Sequence, residues 1–202
     1  FQRRKTYAKG INDLFQADLV DLSNLSRYND GFRYLLTCID VFSKYAWCIP
    51  LKTKGGKDVT TAFERILEAR PPPRFVQTDK GSEYLNSNFQ TMLRDHDIKF
   101  YTSENDGIKA AVVERFNRTI KSKMWRYFTY AHTRRYLDVL NDLVHSYNNT
   151  YHRTIGMKPS EVDSTNEQQV RERMYPMKSK NLKWNYNLDD RVRISVQRQP
   201  FQ

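Results

Sequence analysis

Cysteine is scarce in this sequence. Cys38 and Cys48 are the only two among 202 residues, too few for a disulfide framework. Both fall in apolar, strand-like runs and read as small buried thiols of a reducing compartment; a cross-strand pair is the other reading. No apolar run approaches the roughly 18 residues of a membrane-spanning helix, and no secretory leader opens the chain. Internal repeats and low-complexity tracts are missing as well. The chain opens on Phe1 in place of Met, which reads as a fragment lacking N-terminal parts. Acidic residues are the minority charge: 23 against 34 lysines and arginines, a formal net charge of +11.

That excess of positive charge favours a polyanionic partner, most often nucleic acid, over the plainer reading of a soluble basic protein. Its distribution sharpens the point. Arg3-Arg4-Lys5 forms a basic arm. Arg115, Arg118, Lys121, Lys123 and Arg126 crowd one stretch, and Arg171, Arg173, Lys178, Lys180 and Lys183 another. The length allows one full domain with appendages.

Residues 1–13 read as a basic arm. Phe15–Leu22, Phe32–Phe42 and Tyr45–Leu51 predict three strands, separated by a polar stretch ending in Asn29-Asp30-Gly31 and by a Ser43-Lys44 turn. Connections this short imply an antiparallel meander. After Gly55-Gly56, the spacing of Val59, Phe63, Ile66 and Leu67 predicts a helix that stops by Pro71-Pro72-Pro73. Phe75–Thr78 predicts a strand, Phe89, Met92 and Leu93 a short helix, and Ile98–Tyr101 a last strand before a polar loop over Ser103–Gly107. A long helical run follows from Ile108, then another through Leu137 to Tyr147. Pro159 suits a helix start. The sequence turns polar beyond Asp163, so residues 164–182 read as a linker and residues 183–202 as the start of a small β module. The expected architecture is α/β: a mixed five-stranded sheet flanked by helices.

Three acids stand out on this map. Asp18 lies inside the first strand, in an apolar run, and Asp79 ends the fourth, where open α/β sheets place their sites. Glu114 lies in the first turns of the long helix, with 114 − 79 − 1 = 34 residues between it and Asp79. A carboxylate in an apolar segment is costly without a partner, and three together resist joint ionisation without a cation. Hard oxygen donors suit Mg²⁺ or Mn²⁺, and a pair of such ions suits in-line phosphoryl displacement. Arg118 and Lys121, four and seven residues on, share the Glu114 face of the helix. They would sit close to a scissile phosphate; the plainer reading is a surface ion pair.

Four segments carry a family resemblance. Phe15-Gln16-Ala17-Asp18, Ile39-Asp40-Val41-Phe42-Ser43-Lys44-Tyr45, Thr78-Asp79-Lys80-Gly81-Ser82-Glu83-Tyr84 and Val113-Glu114-Arg115-Phe116-Asn117-Arg118-Thr119 resemble the catalytic core of retroviral-type integrases. Tyr147-Asn148, His152 and Pro159-Ser160-Glu161 resemble the tail that follows that core in retrotransposon integrases. The match runs in order over roughly residues 12–163 (core boundaries 14–163), and its details are most similar to integrases of Polinton/Maverick-type DNA transposons or retrotransposons. The resemblance implies an RNase H-like fold and a catalytic, metal-binding triad of Asp18, Asp79 and Glu114 with two Mg²⁺ or Mn²⁺ ions. It also implies 3′-end processing and strand transfer on double-stranded DNA, DNA contacts from Lys80, Asn117, Arg118 and Lys121, a homo-multimer and a nuclear site of action. The 34-residue spacing is one short of the family's usual one. The family's His-His-Cys-Cys zinc module is missing: His96, His132, His145 and His152 have no Cys-x-x-Cys to join. The alternatives are a catalytically silent, integrase-derived DNA-binding protein and an RNase H-type nuclease.

Plainer roles are expected elsewhere. Asp21, three residues past Asp18, points to the opposite face of the strand and into solvent. Asp40 bonds backbone near its turn. Glu83 and Asn86 either contact DNA or close a loop, and Gly81 permits either a close approach to phosphate or a tight turn. His152 reads as structural. Trp47, Trp125 and Trp184 read as core or interface. Tyr127, Tyr130, Tyr136, Tyr147 and Tyr151 suggest helix or subunit packing before base stacking.

Overall fold

The computed structural model describes residues 6–102, 110–176, 189 and 191. Five strands form one sheet in the order β3-β2-β1-β4-β5: β1 (Leu14–Asp21), β2 (Tyr34–Asp40), β3 (Ala46–Leu51), β4 (Phe75–Thr78) and β5 (Lys99–Thr102). β1, β2 and β3 pair antiparallel, whereas β4 pairs parallel to β1 and β5 parallel to β4. Strand spans and directions follow the sequence reading, because short turns permit only antiparallel neighbours and long crossovers permit parallel ones. Pro50 lies in β3 at the sheet edge, where a missing N–H costs no ladder bond.

Six helices occur among the described residues: α1 (Gly56–Ala69), α2 (Ser82–Leu85), α3 (Ser87–Asp95), α4 (Ala111–Ala131), α5 (Leu140–Asn148) and α6 (Glu167–Met174). They divide between the two faces of the sheet. Phe15, Ala17, Leu36 and Cys38 pack with Val59, Phe63 and Ile66 of α1 and Phe89 and Leu93 of α3. On the other face Ile39 and Ala46 meet Val113, Phe116 and Ile120 of α4, and Val20 and Leu35 meet Met124, Tyr136 and Leu140. The period-two alternation of β1 thus serves two separate cores.

Register also decides the cysteines. Cys38 lies opposite Trp47, and Cys48 opposite Thr37. The two thiols therefore point to opposite faces, and both are free. Asp21 is exposed and accepts from the Ser23 N–H at 2.8 Å. Asp40 is buried and accepts from the backbone of Phe42 and the hydroxyl of Ser43 at 3.0 and 2.6 Å. Both match the expectations.

Four segments differ from expectation. The polar stretch after β1 contains a 3₁₀ turn over Ser23–Tyr28, and α2 adds one helical turn after Asp79. Pro159 opens only a short 3₁₀ turn, Pro159–Glu161. Where a linker was expected, α6 buries Val170 and Met174 against Ala8, Leu14, Val41 and Phe42. Two apolar residues four apart were too few to stand out in so polar a segment. The same cluster ties down the end of the expected arm: the Tyr7 ring packs tilted against that of Tyr175, centroids 4.6 Å apart, and the Tyr175 hydroxyl accepts from Ala8 N–H at 3.0 Å. Arg3-Arg4-Lys5, the Ser103–Gly107 loop, Ile108, Lys178, Lys180, Lys183, Trp184 and the β module from 183 lie outside the described residues, apart from the exposed residues 189 and 191.

Candidate catalytic site

β1 and β4 pair with a constant offset. Leu14 faces Phe75, and Gln16 faces Gln77; 75 − 14 = 61, and 79 − 18 = 61. Asp79, one residue past the end of β4, therefore comes level with Asp18 on the neighbouring strand. Asp18 belongs to the β1 face that meets α4, together with Gln16 and Val20.

Gln16 brings the third acid in. It is fully buried, and its Oε1 accepts from the backbone N–H groups of Val112 and Val113 at 3.0 and 3.1 Å. Its Nε2 donates to Gln77 Oε1 at 2.8 Å. The first N–H groups of a helix lack intrahelical acceptors. Here a side chain from the sheet supplies one, fastening the start of α4 two residues from Asp18 in the sequence of β1. Glu114 follows immediately in that first turn. One turn on, Asn117 is buried, and its Nδ2 donates to Asp18 Oδ2 at 2.7 Å, while Leu19 N–H donates to Asp18 Oδ1 at 2.8 Å. Both carboxylate oxygens of Asp18 are thus oriented by hydrogen bonds.

The charges confirm the neighbourhood. Burial raises the Asp18 carboxyl above its ordinary value; the Leu19 hydrogen bond opposes that, and the Asp79 and Glu114 charges add to it. Lys121 acts in the opposite sense on Asp18 and also on Asp21. Asp79 is exposed, with Oδ1 accepting from Gly81 N–H at 3.1 Å. Among the described residues, however, no three carboxylate, imidazole or thiol groups close around one point as a metal cage. The Asp79 and Glu114 charges both act on Asp18, which places the three acids in one region.

The expected DNA contacts fall in different settings. Lys80 is exposed beside Asp79, and Lys121 is exposed on the Asp18 side of α4. Arg118 is exposed in a shallow basin with Arg115, Ser122 and Arg126. Asn117 is buried, with its amide committed to Asp18. The i+3 neighbour of Glu114, and not the i+4 arginine, bonds to the acid on β1. Asn86 caps α3, accepting from Phe89 N–H at 3.1 Å, so it closes the loop. Gly81 has an ordinary negative φ; a Cβ there would meet the Glu83 carboxylate.

Gln16, Gln77 and Tyr84 were not singled out from the sequence. The available signal was Gln16 two residues before Asp18, on the same face of one strand. Tyr84 is fully buried, and its hydroxyl has no partner; burial, with the Asp18 and Asp79 charges adding to it, raises its pKa well above the ordinary value. Asn117 Oδ1 is likewise buried without a partner. Three carboxylates with an unpartnered amide oxygen beside them, and neither sulfur nor imidazole, form a donor set that fits a hard divalent cation.

A mixed five-stranded sheet with helices on both faces and acids on β1, after β4 and on α4 defines an RNase H-like domain. Residues 9–106 match the integrase core domain family, in keeping with the resemblance seen in the motifs. An uncharacterised transposon-derived protein of Caenorhabditis elegans is 34% identical over 181 residues, covering 88% of this chain and 61% of that protein. A retrovirus-related Pol polyprotein from transposon 297 of Drosophila melanogaster is 23% identical over 137 residues, 67% of this chain and 13% of its own length. The chain therefore spans under two thirds of these relatives. Among solved structures, the HTLV-2 integrase catalytic core domain in complex with magnesium aligns with a TM-score of 0.62 at 19% identity, covering 75% of this chain and 95% of that one. A chain from a simian T-cell lymphotropic virus intasome in complex with PP2A regulatory subunit B56 gamma aligns with a TM-score of 0.67 at 18% identity, covering 79% of this chain and 55% of that one. At such identities the likeness is one of fold.

Proposed function

We propose that this chain is the catalytic core of a DNA integrase or transposase that processes the 3′ ends of an element's DNA and transfers them to target DNA. The observation that carries the reading is the convergence just described. Strand register brings Asp79 level with Asp18, and Gln16 fastens the helix that bears Glu114. Asp18, Asp79 and Glu114 would hold two Mg²⁺ or Mn²⁺ ions, which supply Lewis acidity for the attacking oxygen and charge neutralisation for the departing one. Asn117 and the Leu19 N–H keep the Asp18 carboxylate in one orientation. Lys80, Arg118 and Lys121 hold backbone phosphates, which gives binding that weakens with salt and reads little sequence. Strand transfer forms one phosphodiester bond and breaks one, as the 3′-OH displaces a bridging oxygen in line. Two DNA ends must be joined, which supports a homo-multimer; a nuclear site of action follows from the same reading.

Asp79→Asn tests this on a labelled DNA end with Mg²⁺ or Mn²⁺. Joining should fall by about a thousandfold or more, an effect on the order of 4 kcal/mol in the barrier, with duplex binding retained. Full joining activity in the variant would sink the proposal. The basic basin of Arg115, Arg118 and Arg126 on α4 also supports one second reading, a catalytically silent DNA-binding protein. That protein would bind duplex DNA yet show no divalent-dependent nicking in its unmodified form.

A further inference from the structure

Another side of α4 borders a cavity that the proposed reaction leaves unused. It measures about 670 Å³ and lies against Lys44, Val112, Phe116, Tyr147 and His152, with Arg115 and Lys123 also lining it. Lys44 occupies the turn between β2 and β3 at φ 63° and is 7% exposed. Its Nζ donates to the Val41 carbonyl at 2.5 Å, and an ammonium group carries three donors. None of the ion pairs among the described residues involves Lys44, Arg115 or Lys123. The described lining contains no carboxylate; Asp40 is the nearby acid that supports the Lys44 charge. Burial lowers the Lys44 amine to about 8, still protonated at neutral pH. Burial, then Lys44 and Arg115, hold His152 down to about 4 and keep it neutral.

We propose that this cavity is a binding site for phosphoryl anions, with Lys44 at its buried end and Arg115 and Lys123 as donors from the surface of α4. Asp40 offsets part of the Lys44 charge, and with no carboxylate in the described lining the charges of Arg115 and Lys123 are left for a multiply charged anion to neutralise. The arginine fork matches phosphoryl oxygens in pairs. The volume exceeds that of one phosphate group, so it has room for a phosphate chain. The cavity shares Arg115, Thr119 and Lys123 with the basin that also contains Arg118, Ser122 and Arg126, and this continues the positive surface along α4. Two sources have the right chemistry: the backbone of a nucleic acid and a free polyphosphate. The site does not depend on the metal chemistry proposed for the acids.

The test uses the full chain titrated with sodium tripolyphosphate and with a short DNA duplex. Affinity is measured by calorimetry and the His152 ring signals by NMR. Tripolyphosphate should bind and move the His152 signals. Arg115→Gln and Lys123→Gln should each weaken it about tenfold, the loss of one charge-assisted hydrogen bond. Arg115 is exposed and Lys123 half-buried at the helix surface, so their replacement spares the core. A duplex that displaces tripolyphosphate and moves the same signals identifies the DNA backbone as the source. A duplex that binds without displacing it identifies a free polyphosphate. Failure of tripolyphosphate to move the His152 signals, or an affinity in both variants equal to that of the unmodified chain, overturns the proposal.

Discussion

The two faces of β1 differ in what they pack against. One face places Phe15 and Ala17 against α1 and α3, in a core of apolar side chains. The other places Gln16 and Asp18 against α4, joined to it by hydrogen bonds to Val112, Val113 and Asn117. Successive residues of one strand therefore do different work. The apolar face stabilises by removing surface from water, whereas the polar face holds charged and amide groups in fixed positions at some cost in stability. The proposed phosphoryl-transfer site would need the second kind of face, and the first makes it tolerable.

Substitutions on the two faces should separate stability from activity. Phe15→Ala should have the largest effect on folding, about 3–5 kcal/mol in chemical denaturation, from lost burial and the cavity left behind. Its neighbour on the opposite face should behave differently. Gln16→Ala strands the Val112 and Val113 N–H groups and Gln77, so a smaller loss of about 1–3 kcal/mol is expected. Divalent-dependent nicking should fall by more than that loss of folded protein explains. A Gln16→Ala protein with unchanged nicking would show that α4 needs no tie to β1.

Asn117→Ala should affect stability less and lower nicking by about 10–100-fold, as expected when a group orienting a metal-binding carboxylate is removed. DNA affinity separates two roles. If Asn117 acts through Asp18, duplex binding stays near that of the unmodified chain; a parallel fall in binding would assign it to DNA instead.

Asp18→Asn should have the smallest effect on stability, and in the opposite direction. Its carboxyl is raised in the folded state, so the folded protein binds that proton more tightly than the unfolded chain does. Ionised Asp18 therefore costs stability, and the cost grows as pH rises from the unfolded value of 3.8 through the raised folded value. At neutral pH without divalent ions, the asparagine variant should melt at a slightly higher temperature than the unmodified chain. Added Mg²⁺ should raise the melting temperature of the unmodified chain more than that of the variant. Equal shifts would argue against Asp18 as a ligand.

Much of this was legible in the sequence where the signal was periodic or local. Alternation from Phe15, short turns around Asn29-Asp30-Gly31 and Ser43-Lys44, and the helical spacing of Val59 to Leu67 sufficed for the strand directions and the first helix. Asp18 and Asp79 stood out because each is an acid set in or at the end of an apolar run. Glu114 stood out as an acid in the helix that follows. Gln16 did not, since an amide side chain carries no charge to contradict its surroundings. Its role appears only when its acceptor meets two N–H groups 96 and 97 residues away. α6 escaped notice for a related reason: Val170 and Met174 find their partners on β1, after β2 and in the N-terminal segment.

The sequence by itself determined the five strands, the helices α1, α3, α4 and α5, the antiparallel and parallel strand directions, the positive surface and the three acids. All of these follow from local periodicity, connection length and residue chemistry. The tertiary structure alone decided that Asn117, and not Arg118, bonds to Asp18, and that Cys38 and Cys48 lie on opposite faces. It also decided that Lys44 is buried beside a cavity lined by Arg115 and Lys123. Each of these depends on strand register or on where a helix is fastened, and those are set by the sum of many distant contacts, not by the residue and its neighbours.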